Sequence, residues 1–158
     1  MAVKDASLCV DSPIGPITLR AKAEKLVAVE IGKRTKNFGE AEVLKKANSQ
    51  LANYFAGKLS KFDLPIEVNG TEFQKKVWKE IARLGFGHSI SYGEIAKAIG
   101  SPRASRAVGA AVGANPVPLI VGCHRVLGTG GKITGYTGGK GIKTKAWMLK
   151  HEGIEFIS

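Results

Sequence analysis

The stretch that decides the fold is SYGEIAKAIGSPRASRAVGAAVG, which occupies residues 91–113. Apolar side chains recur in it at helical spacing, first up to Gly100 and again up to Gly113. Between the two runs, Ser101 is suited to cap a helix and Pro102 to fill its first position. Two short helices in such close succession predict a helix-turn-helix, with helices over about 92–100 and 103–113.

The second predicted helix has small side chains on its outer face. Its inward face is formed by Ala104, Val108, Ala111 and Val112, and its outward face by Arg103, Arg106, Ala107, Gly109 and Ala110. Such a helix is poorly equipped to read base edges in the major groove, but it is thin enough for a minor groove only about 6 Å wide. The alternative is an ordinary packing helix, because short helix pairs are common in proteins of every kind.

The distribution of charge favours the first interpretation. The chain of 158 residues has a net charge of +11, with 11 basic and 8 acidic residues in 1–70 and 13 and 5 in 71–158. The excess of +8 in the second half favours a polyanionic partner, and we expect double-stranded DNA. A solvated lysine surface is the alternative source of such a charge.

The first half predicts a small α+β domain. Alternating apolar residues predict three antiparallel strands at about 7–10, 17–21 and 26–31. A helix of about four turns follows, marked by Val43, Leu44, Ala47, Leu51, Tyr54 and Phe55. Residues 58–70 lack periodicity and contain Pro65 and Asn69-Gly70, so we place the domain boundary there. The expected domains are 1–68 and 69–158, the second mainly helical.

The composition excludes several broad classes of protein. No apolar run approaches the roughly 18 residues of a membrane span, and no signal-type stretch follows Met1. We therefore expect a cytoplasmic monomer without membrane association. Cys9 and Cys123 lie far apart in unlike surroundings, which favours neither a disulfide nor a metal site. Trp78 and Trp147 lie in helical patterns and are expected in the core.

Cys123 is the candidate for reactivity. Asn115-Pro116-Val117-Pro118 predicts a rigid extended segment, and Leu119-Ile120-Val121 predicts a short run with β character that leads into Gly122-Cys123-His124-Arg125. A cysteine beside His and Arg in a basic domain is in surroundings that favour the thiolate. A buried structural cysteine is the competing interpretation, and the local context leaves both open.

Six motifs in order along the chain resemble the O6-alkylguanine-DNA alkyltransferase family, and the resemblance covers nearly the whole sequence. They are Ser91-Tyr92-Gly93, Ser105-Arg106-Ala107-Val108-Gly109, Asn115-Pro116-Val117-Pro118, Cys123-His124-Arg125-Val126, Gly135-Tyr136-Thr137-Gly138-Gly139 and Trp147-Met148-Leu149-Lys150-His151-Glu152-Gly153. Each motif is weak alone, whereas their order and spacing together are specific. The resemblance implies a ribonuclease-H-like first domain of α+β type and a second domain that is a winged helix-turn-helix.

The resemblance also implies the reaction. Family members remove an alkyl group from O6 of guanine and keep it irreversibly on a cysteine, which matches Cys123. The cysteine is activated through a histidine, a water and a glutamate, roles that fall on His124 and Glu152. Asn115 matches an asparagine that braces the turn beneath the cysteine.

Contacts with DNA follow from the same resemblance. The guanine must be flipped out through the minor groove, because its O6 is out of reach in the stack. Arg106 would enter the vacated stack, Tyr92 would help to rotate the nucleotide and protonate the leaving guanine, and Thr137 would offer a backbone N–H near O6. The carbonyls of Cys123 and Val126 would accept from the exocyclic amine. Gly93, Ser101 and Thr129 match positions that contact the DNA backbone.

The sequence departs from the family pattern at Gly122, where proline is usual. Glycine removes a fixed φ, so we expect a looser loop under Cys123 and a changed rate. Some relatives hold zinc in the first domain, but this region has Cys9 and no histidine, so no metal is expected. No cofactor is expected either.

Two other functions fit parts of the sequence. A non-enzymatic helix-turn-helix protein could bind alkylated or ordinary DNA with an inert Cys123, although relatives that only recognise damage lack that cysteine. A cysteine hydrolase built on Cys123 and His124 would leave the charge of the second half unexplained, and adjacent residues seldom form such a dyad.

Overall fold

The first half is a three-stranded antiparallel meander covered by one helix. A computed structural model describes residues 5–158, so the first four residues of the predicted domain 1–68 lie outside the described part. Strands β1 (Asp5–Val10), β2 (Ile17–Lys22) and β3 (Lys25–Ile31) pair in sequence order, as predicted. Helix α1 (Glu42–Phe55) buries the predicted face against the sheet, including Leu44, Ala47 and Leu51.

Residues 58–70 are irregular, as predicted, but they are tied to the sheet. Leu26 N–H donates to the carbonyl of Pro65, and Glu67 N–H donates to the carbonyl of Leu26. The segment therefore extends the edge of β3 instead of hanging as a free linker. The exact boundary between the two domains stays a prediction.

Three helices then build the helix-turn-helix half. Helix α2 (Glu72–Ala82) and helix α3 (Tyr92–Ala98) each begin with a capping box, formed by Thr71 with Gln74 and by Ser91 with Glu94. In such a box the side chain of the capping residue and that of the third helical residue satisfy two otherwise unpaired N–H groups. The indole of Trp78 donates to the carbonyl of Ala111 and anchors α2 against α4 (Ser105–Gly113), the helix that follows α3.

The start of α4 differs from the prediction. Residues 101–104 form a turn in which Ala104 N–H donates to the carbonyl of Ser101, and the helix begins only at Ser105. Pro102 therefore serves the second position of a turn, where its fixed φ is equally favourable, and not the first position of the helix. Val108, Ala111 and Val112 are buried as predicted, and Arg106, Ala107 and Ala110 face solvent.

The expected run of β character at 119–121 is wrong. Leu119 adopts a left-handed conformation with φ of +76°, and Val121 N–H donates back to the carbonyl of Val117. The chain therefore folds into a compact turn, which packs Leu119 in the core, and Cys123–Arg125 follows as one turn of 3-10 helix. Apolar content suggested a strand there because a buried turn and a buried strand need the same side chains.

The end of the chain closes the second half. Strand β4 (Ile90–Ser91) pairs in parallel with β5 (Val126–Leu127), and helix α5 (Ile142–His151) packs beside the 3-10 turn that contains Cys123. One hydrophobic core runs through both halves, from the sheet to α4 and α5. Within residues 5–158, no helix is long and apolar enough to cross a membrane.

Candidate active site

Cys123 lies at the wall of a cavity of about 440 Å³ that opens to the surface. Its lining consists of Tyr92, Gly109, Val112, Gly113, Cys123, Gly135, Tyr136 and Thr137. The small residues belong to α4 and to the loop before α5, so backbone forms much of the wall. The structure thus brings together three residues that the sequence analysis assigned to the site, Cys123, Tyr92 and Thr137. An opening of this size suits a flat heterocycle.

The thiol of Cys123 is buried, and its surroundings differ from those expected. Burial raises the pKa of the Cys123 thiol, an effect opposed by hydrogen bonding to Asn115 and Tyr136 and by the charge of Lys145. The Sγ atom lies 3.9 Å from the hydroxyl of Tyr136. The flanking His124 and Arg125, which suggested surroundings that favour the thiolate, pair with Glu152 and not with the sulfur.

Asn115 holds the turn beneath the cysteine with both ends of its amide. Its Oδ1 accepts from the N–H of Val117 at 3.0 Å, and its Nδ2 donates to the carbonyl of Val121 at 2.8 Å. The two contacts span the turn that contains Leu119. Asn115 thus occupies the bracing position that the family resemblance implied.

Glu152 lies behind the cysteine at the centre of a cage of donors. Its Oε2 is 2.5 Å from Nε2 of His124 and 2.7 Å from the hydroxyl of Tyr54, and Arg125 Nε donates to Oε1 at 2.7 Å. A longer contact of 3.3 Å comes from the N–H of Gly87. Burial alone would raise the pKa of Glu152, but the hydrogen bonds of His124 and Arg125 and the charge of Arg125 hold it far below the usual value. The carboxylate is ionised.

His124 is fully buried beside this carboxylate. Burial lowers the pKa of His124 below its ordinary value, although the hydrogen bond and charge of Glu152 oppose that shift. Its Nε2 faces Glu152, and its Nδ1 has no hydrogen-bond partner among residues 5–158. A neutral imidazole whose Nε2 donates to a carboxylate has an Nδ1 lone pair free to accept a proton.

Arg125 passes directly under the loop that carries Cys123. Its guanidinium lies 4.6 Å above the ring of Phe86 and pairs with Glu152. A Cβ atom at Gly122 would lie 2.8 Å from Cζ of Arg125 and closer still to Nη1. The φ of Gly122 is −74°, within the range that proline fixes. Glycine here therefore provides space for Arg125, and the looser loop and changed rate expected from the missing proline stay predictions.

A second chain of polar groups runs along the opposite side of the cavity. The hydroxyl of Tyr92 lies 2.6 Å from Oγ1 of Thr134, which also accepts from Nζ of the buried Lys145 at 3.1 Å. Burial lowers the pKa of Lys145 to about 8, and a thiolate at Cys123 would act the other way. Lys145 therefore brings a positive charge close to the sulfur.

The residues predicted to contact DNA do not line the cavity themselves, and they differ in exposure. Arg106 on α4 and Thr129 are exposed, whereas Gly93 on α3 and Ser101 in the turn before α4 are half-buried. Val126 is fully buried in the core through its pairing with Ile90 and does not line the cavity. A role for Val126 can thus involve only its backbone.

Five residues of the site were not singled out from the sequence. They are Tyr54, Arg125, Thr134, Tyr136 and Lys145. Arg125 and Tyr136 belong to the family motifs in the sequence, but the motifs do not predict which side chains they contact. In the sequence, Tyr54 is one of the apolar residues that mark α1. Lys145 is one of many lysines, and nothing in the pattern distinguishes it.

Comparison with known proteins relates both halves of the chain to the same family. A family model described as "6-O-methylguanine DNA methyltransferase, DNA binding domain" matches residues 72–154, and one described as the ribonuclease-like domain of the same family matches residues 8–68. A methylated-DNA–protein-cysteine methyltransferase of Methanosarcina acetivorans is 46% identical over 150 residues, covering 90% of this chain and 95% of that protein. One of Mycobacterium tuberculosis is 45% identical over 149 residues, covering 90% and 89%.

Solved structures show the same likeness. The crystal structure of Mycobacterium tuberculosis O6-methylguanine methyltransferase has a TM-score of 0.84 and 41% identity, and the match covers 94% of this chain and 93% of that one. The structure of Mycobacterium tuberculosis OGT in complex with DNA has a TM-score of 0.83 and 42% identity, covering 93% and 92%. The sheet-and-helix first half and the helix-turn-helix second half predicted from the sequence are confirmed.

Proposed function

Because the chain belongs to the 6-O-methylguanine DNA methyltransferase family, we propose that it repairs O6-alkylguanine in double-stranded DNA by transferring the alkyl group irreversibly to Cys123. The single observation that carries this assignment is the position of Cys123. Its sulfur faces a cavity of about 440 Å³, while the next residue, His124, is held by a buried carboxylate. A reaction that uses one cysteine once makes the protein a single-turnover methyltransferase.

The reaction begins with removal of the thiol proton. Because the pKa of Cys123 is raised by burial, the resting group is a thiol, and a base must act on it. We propose that a water passes this proton to Nδ1 of His124, whose low pKa keeps the ring neutral and ready to accept. Glu152 then stabilises the imidazolium, and the charge of Lys145 stabilises the thiolate.

The transfer itself is an in-line displacement. The sulfur of Cys123 forms a bond to the alkyl carbon as the bond between that carbon and O6 breaks, and the electron pair leaves with the guanine. We propose that Tyr92, which lines the cavity, gives the leaving guanine its proton; its hydroxyl is linked through Thr134 to Lys145, which supports this role. The products are a thioether and guanine, so no group returns to regenerate the thiol. No cofactor takes part in this scheme.

The guanine reaches the cavity only outside the duplex. We propose that the thin helix α4 enters the minor groove, that Arg106 fills the space left in the stack, and that Gly93, Ser101 and Thr129 position the DNA backbone. Thr137 and the carbonyls of Cys123 and Val126 would hold the flipped base. A cytoplasmic location and a monomeric state, expected from the sequence, stay predictions, as does the absence of a metal.

Intact-protein mass measurement tests the proposal. The protein is incubated with a duplex oligonucleotide that contains one O6-methylguanine, and the expected product has one added methyl group, located on Cys123 by peptide mapping. The same duplex with guanine is the control and should leave the mass unchanged. Binding to the methylated duplex without any change in mass would show a damage-recognition protein with an inert cysteine.

A further inference from the structure

Tyr54 is the one residue of α1 that reaches the buried carboxylate within the described structure. Its side chain is 1% exposed, and its hydroxyl lies 2.7 Å from Oε2 of Glu152. Its own carbonyl oxygen is 2.7 Å from Nε2 of His151, the neighbour of Glu152. A single residue of the first domain therefore fixes two consecutive residues at the end of α5.

The hydroxyl of Tyr54 is not needed for packing. The ring lies in an aromatic cluster with Phe55, Phe62, Phe86 and His151, at centroid distances of 5.1–5.6 Å. A phenylalanine would fill this site equally well and would not have to bury a hydroxyl. The hydroxyl instead points away from the cluster to the one carboxylate that holds His124.

The contact acts on the atom that controls the histidine. Oε2 of Glu152 accepts from Tyr54 and also faces Nε2 of His124. Burial and the charge of Glu152 raise the pKa of Tyr54 far above its usual value, so its hydroxyl remains a donor throughout the range in which proteins function. A permanent donor on Oε2 fixes the direction of the carboxylate and draws charge from it.

We propose that Tyr54 is a positioning residue for the alkyl transfer, by which the first domain orients Glu152 and tunes the proton acceptor His124. The inference rests on the proposed function. Without the hydroxyl, Oε2 would carry more negative charge, which favours the imidazolium, and the pKa of His124 would rise. Transfer needs neutral His124, so the acidic limb of the rate profile would move to higher pH. The carboxylate would also lose a constraint on its orientation.

The groups that face His124 are defined by the same contacts. Glu152 lies against Nε2, while the positive charges of Arg125 and Lys145 act on the ring from the 3-10 turn and from α5. Lys145 loses its charge near pH 8, so its titration changes the rate only at the alkaline end of the profile. A shift below neutral pH reports on His124.

The test is Tyr54→Phe in the full chain. Transfer rates are measured from pH 5 to pH 9 on the O6-methylguanine duplex and on free O6-benzylguanine, which needs no base flipping. We expect a loss of about tenfold on both substrates, the size expected for one hydrogen bond to a charged group, and an acidic limb moved to higher pH. Phe62→Leu is the matched control, because it disturbs the same cluster without touching Glu152, and it should lower Tm without moving the limb.

A second measurement keeps the test independent of rate. In a Cys123→Ser background, the imidazole of His124 is titrated by NMR with and without the Tyr54→Phe substitution, and the doubly substituted chain should titrate at higher pH. Unchanged titration together with an unchanged acidic limb would overturn the inference, even if the Tm falls as it does in Phe62→Leu. Failure of the wild type to take up a methyl group would instead overturn the proposed function.

Discussion

The Cys123 loop has a cavity in front of it and a cluster of buried charged groups behind it, and the two sides differ in the residues that form them. In front, the cavity is walled by glycines and by Val112, Tyr136 and the half-exposed Tyr92, and shape defines it. Behind, His124, Arg125 and Glu152 have side chains that are 0%, 4% and 1% exposed, and hydrogen bonds define their positions. Shape therefore governs what fits in front, whereas behind the loop Nδ1 of His124 is the one polar atom of these three side chains that is buried without a partner among residues 5–158.

This contrast separates two kinds of failure. Changes in front should alter which substrates react, since the reacting groups behind stay in place. Changes behind should slow every substrate by the same factor and also destabilise the fold, because they leave buried charges unpaired. Comparison of a duplex substrate with a free base therefore tells which side a substitution has damaged.

The largest effect is expected at the junction of the two sides. Cys123→Ser should abolish transfer to both substrates, because a hydroxyl is a far weaker nucleophile at neutral pH, while DNA binding by the untouched α4 is retained. Intact mass and a gel-shift titration measure the two properties. Cys9→Ser is the matched control and should react like the wild type; an inactive Cys9→Ser would mean that the nucleophile is wrongly assigned.

Glu152→Gln removes the carboxylate behind the Cys123 loop. It leaves Arg125 buried without a counter-charge, and breaking a buried pair in this way costs about 3–5 kcal/mol. A chain of this size should then lose about 10 °C in Tm. Transfer should fall at least a hundredfold on both substrates, since His124 loses its carboxylate. Glu155→Gln, three residues further on and exposed, is the control for charge alone.

The same variant gives a pH test. The pKa of Glu152 is depressed in the folded protein, so its stabilising effect is complete above the unfolded value of about 4.3 and is lost as the pH falls below it. Denaturant midpoints between pH 3 and pH 6 should therefore fall less steeply in Glu152→Gln than in the wild type. Parallel curves would mean that the carboxylate gains nothing from its cage.

Arg106→Ala removes an exposed side chain of α4 and leaves the residues behind the Cys123 loop unchanged. If this side chain fills the gap left by the flipped guanine, its loss should slow repair in the duplex by about a hundredfold, because unstacking costs a few kcal/mol. Free O6-benzylguanine should react at nearly the wild-type rate. Arg103→Ala removes an equal charge from the neighbouring turn and should weaken duplex binding without the rate loss. An equal loss on both substrates would place Arg106 in the reactive pocket or the fold.

Gly122→Ala should have the smallest effect, and again behind the loop. The added methyl group meets Arg125, whose guanidinium is held by Glu152 and Phe86, so we expect a loss of about tenfold on both substrates and about 1–3 kcal/mol of stability. Gly85→Ala, which has ordinary room for a methyl group, is the comparison. A wild-type rate would show that Arg125 can move aside without disturbing Glu152.

The front of the site was more predictable than the back. Tyr92, Cys123 and Thr137 sit in local motifs, and the helix pair that surrounds them follows from spacing and caps. The resemblance named His124 and Glu152, but the contact from Tyr54 could not be predicted, because Tyr54 and Glu152 are 98 residues apart and Tyr54 looks like an ordinary apolar position of its helix. Likewise, the raised pKa of Cys123 arises from burial, which the neighbouring His124 and Arg125 in the sequence do not reveal.

The separation of Tyr54 and Glu152 along the chain has a consequence for biosynthesis. A protein grows from its N-terminus at about 5–20 residues per second, so Cys123 and its two neighbours leave the ribosome on the order of seconds before Glu152, which follows His124 by 28 residues. During that interval neither His124 nor Arg125 has the carboxylate with which it pairs in the folded protein. The nascent chain therefore carries a cysteine whose activating residues are not yet complete. A molecule that reacts only once would thus gain its reactivity last, when the residues expected to bind DNA have already been made.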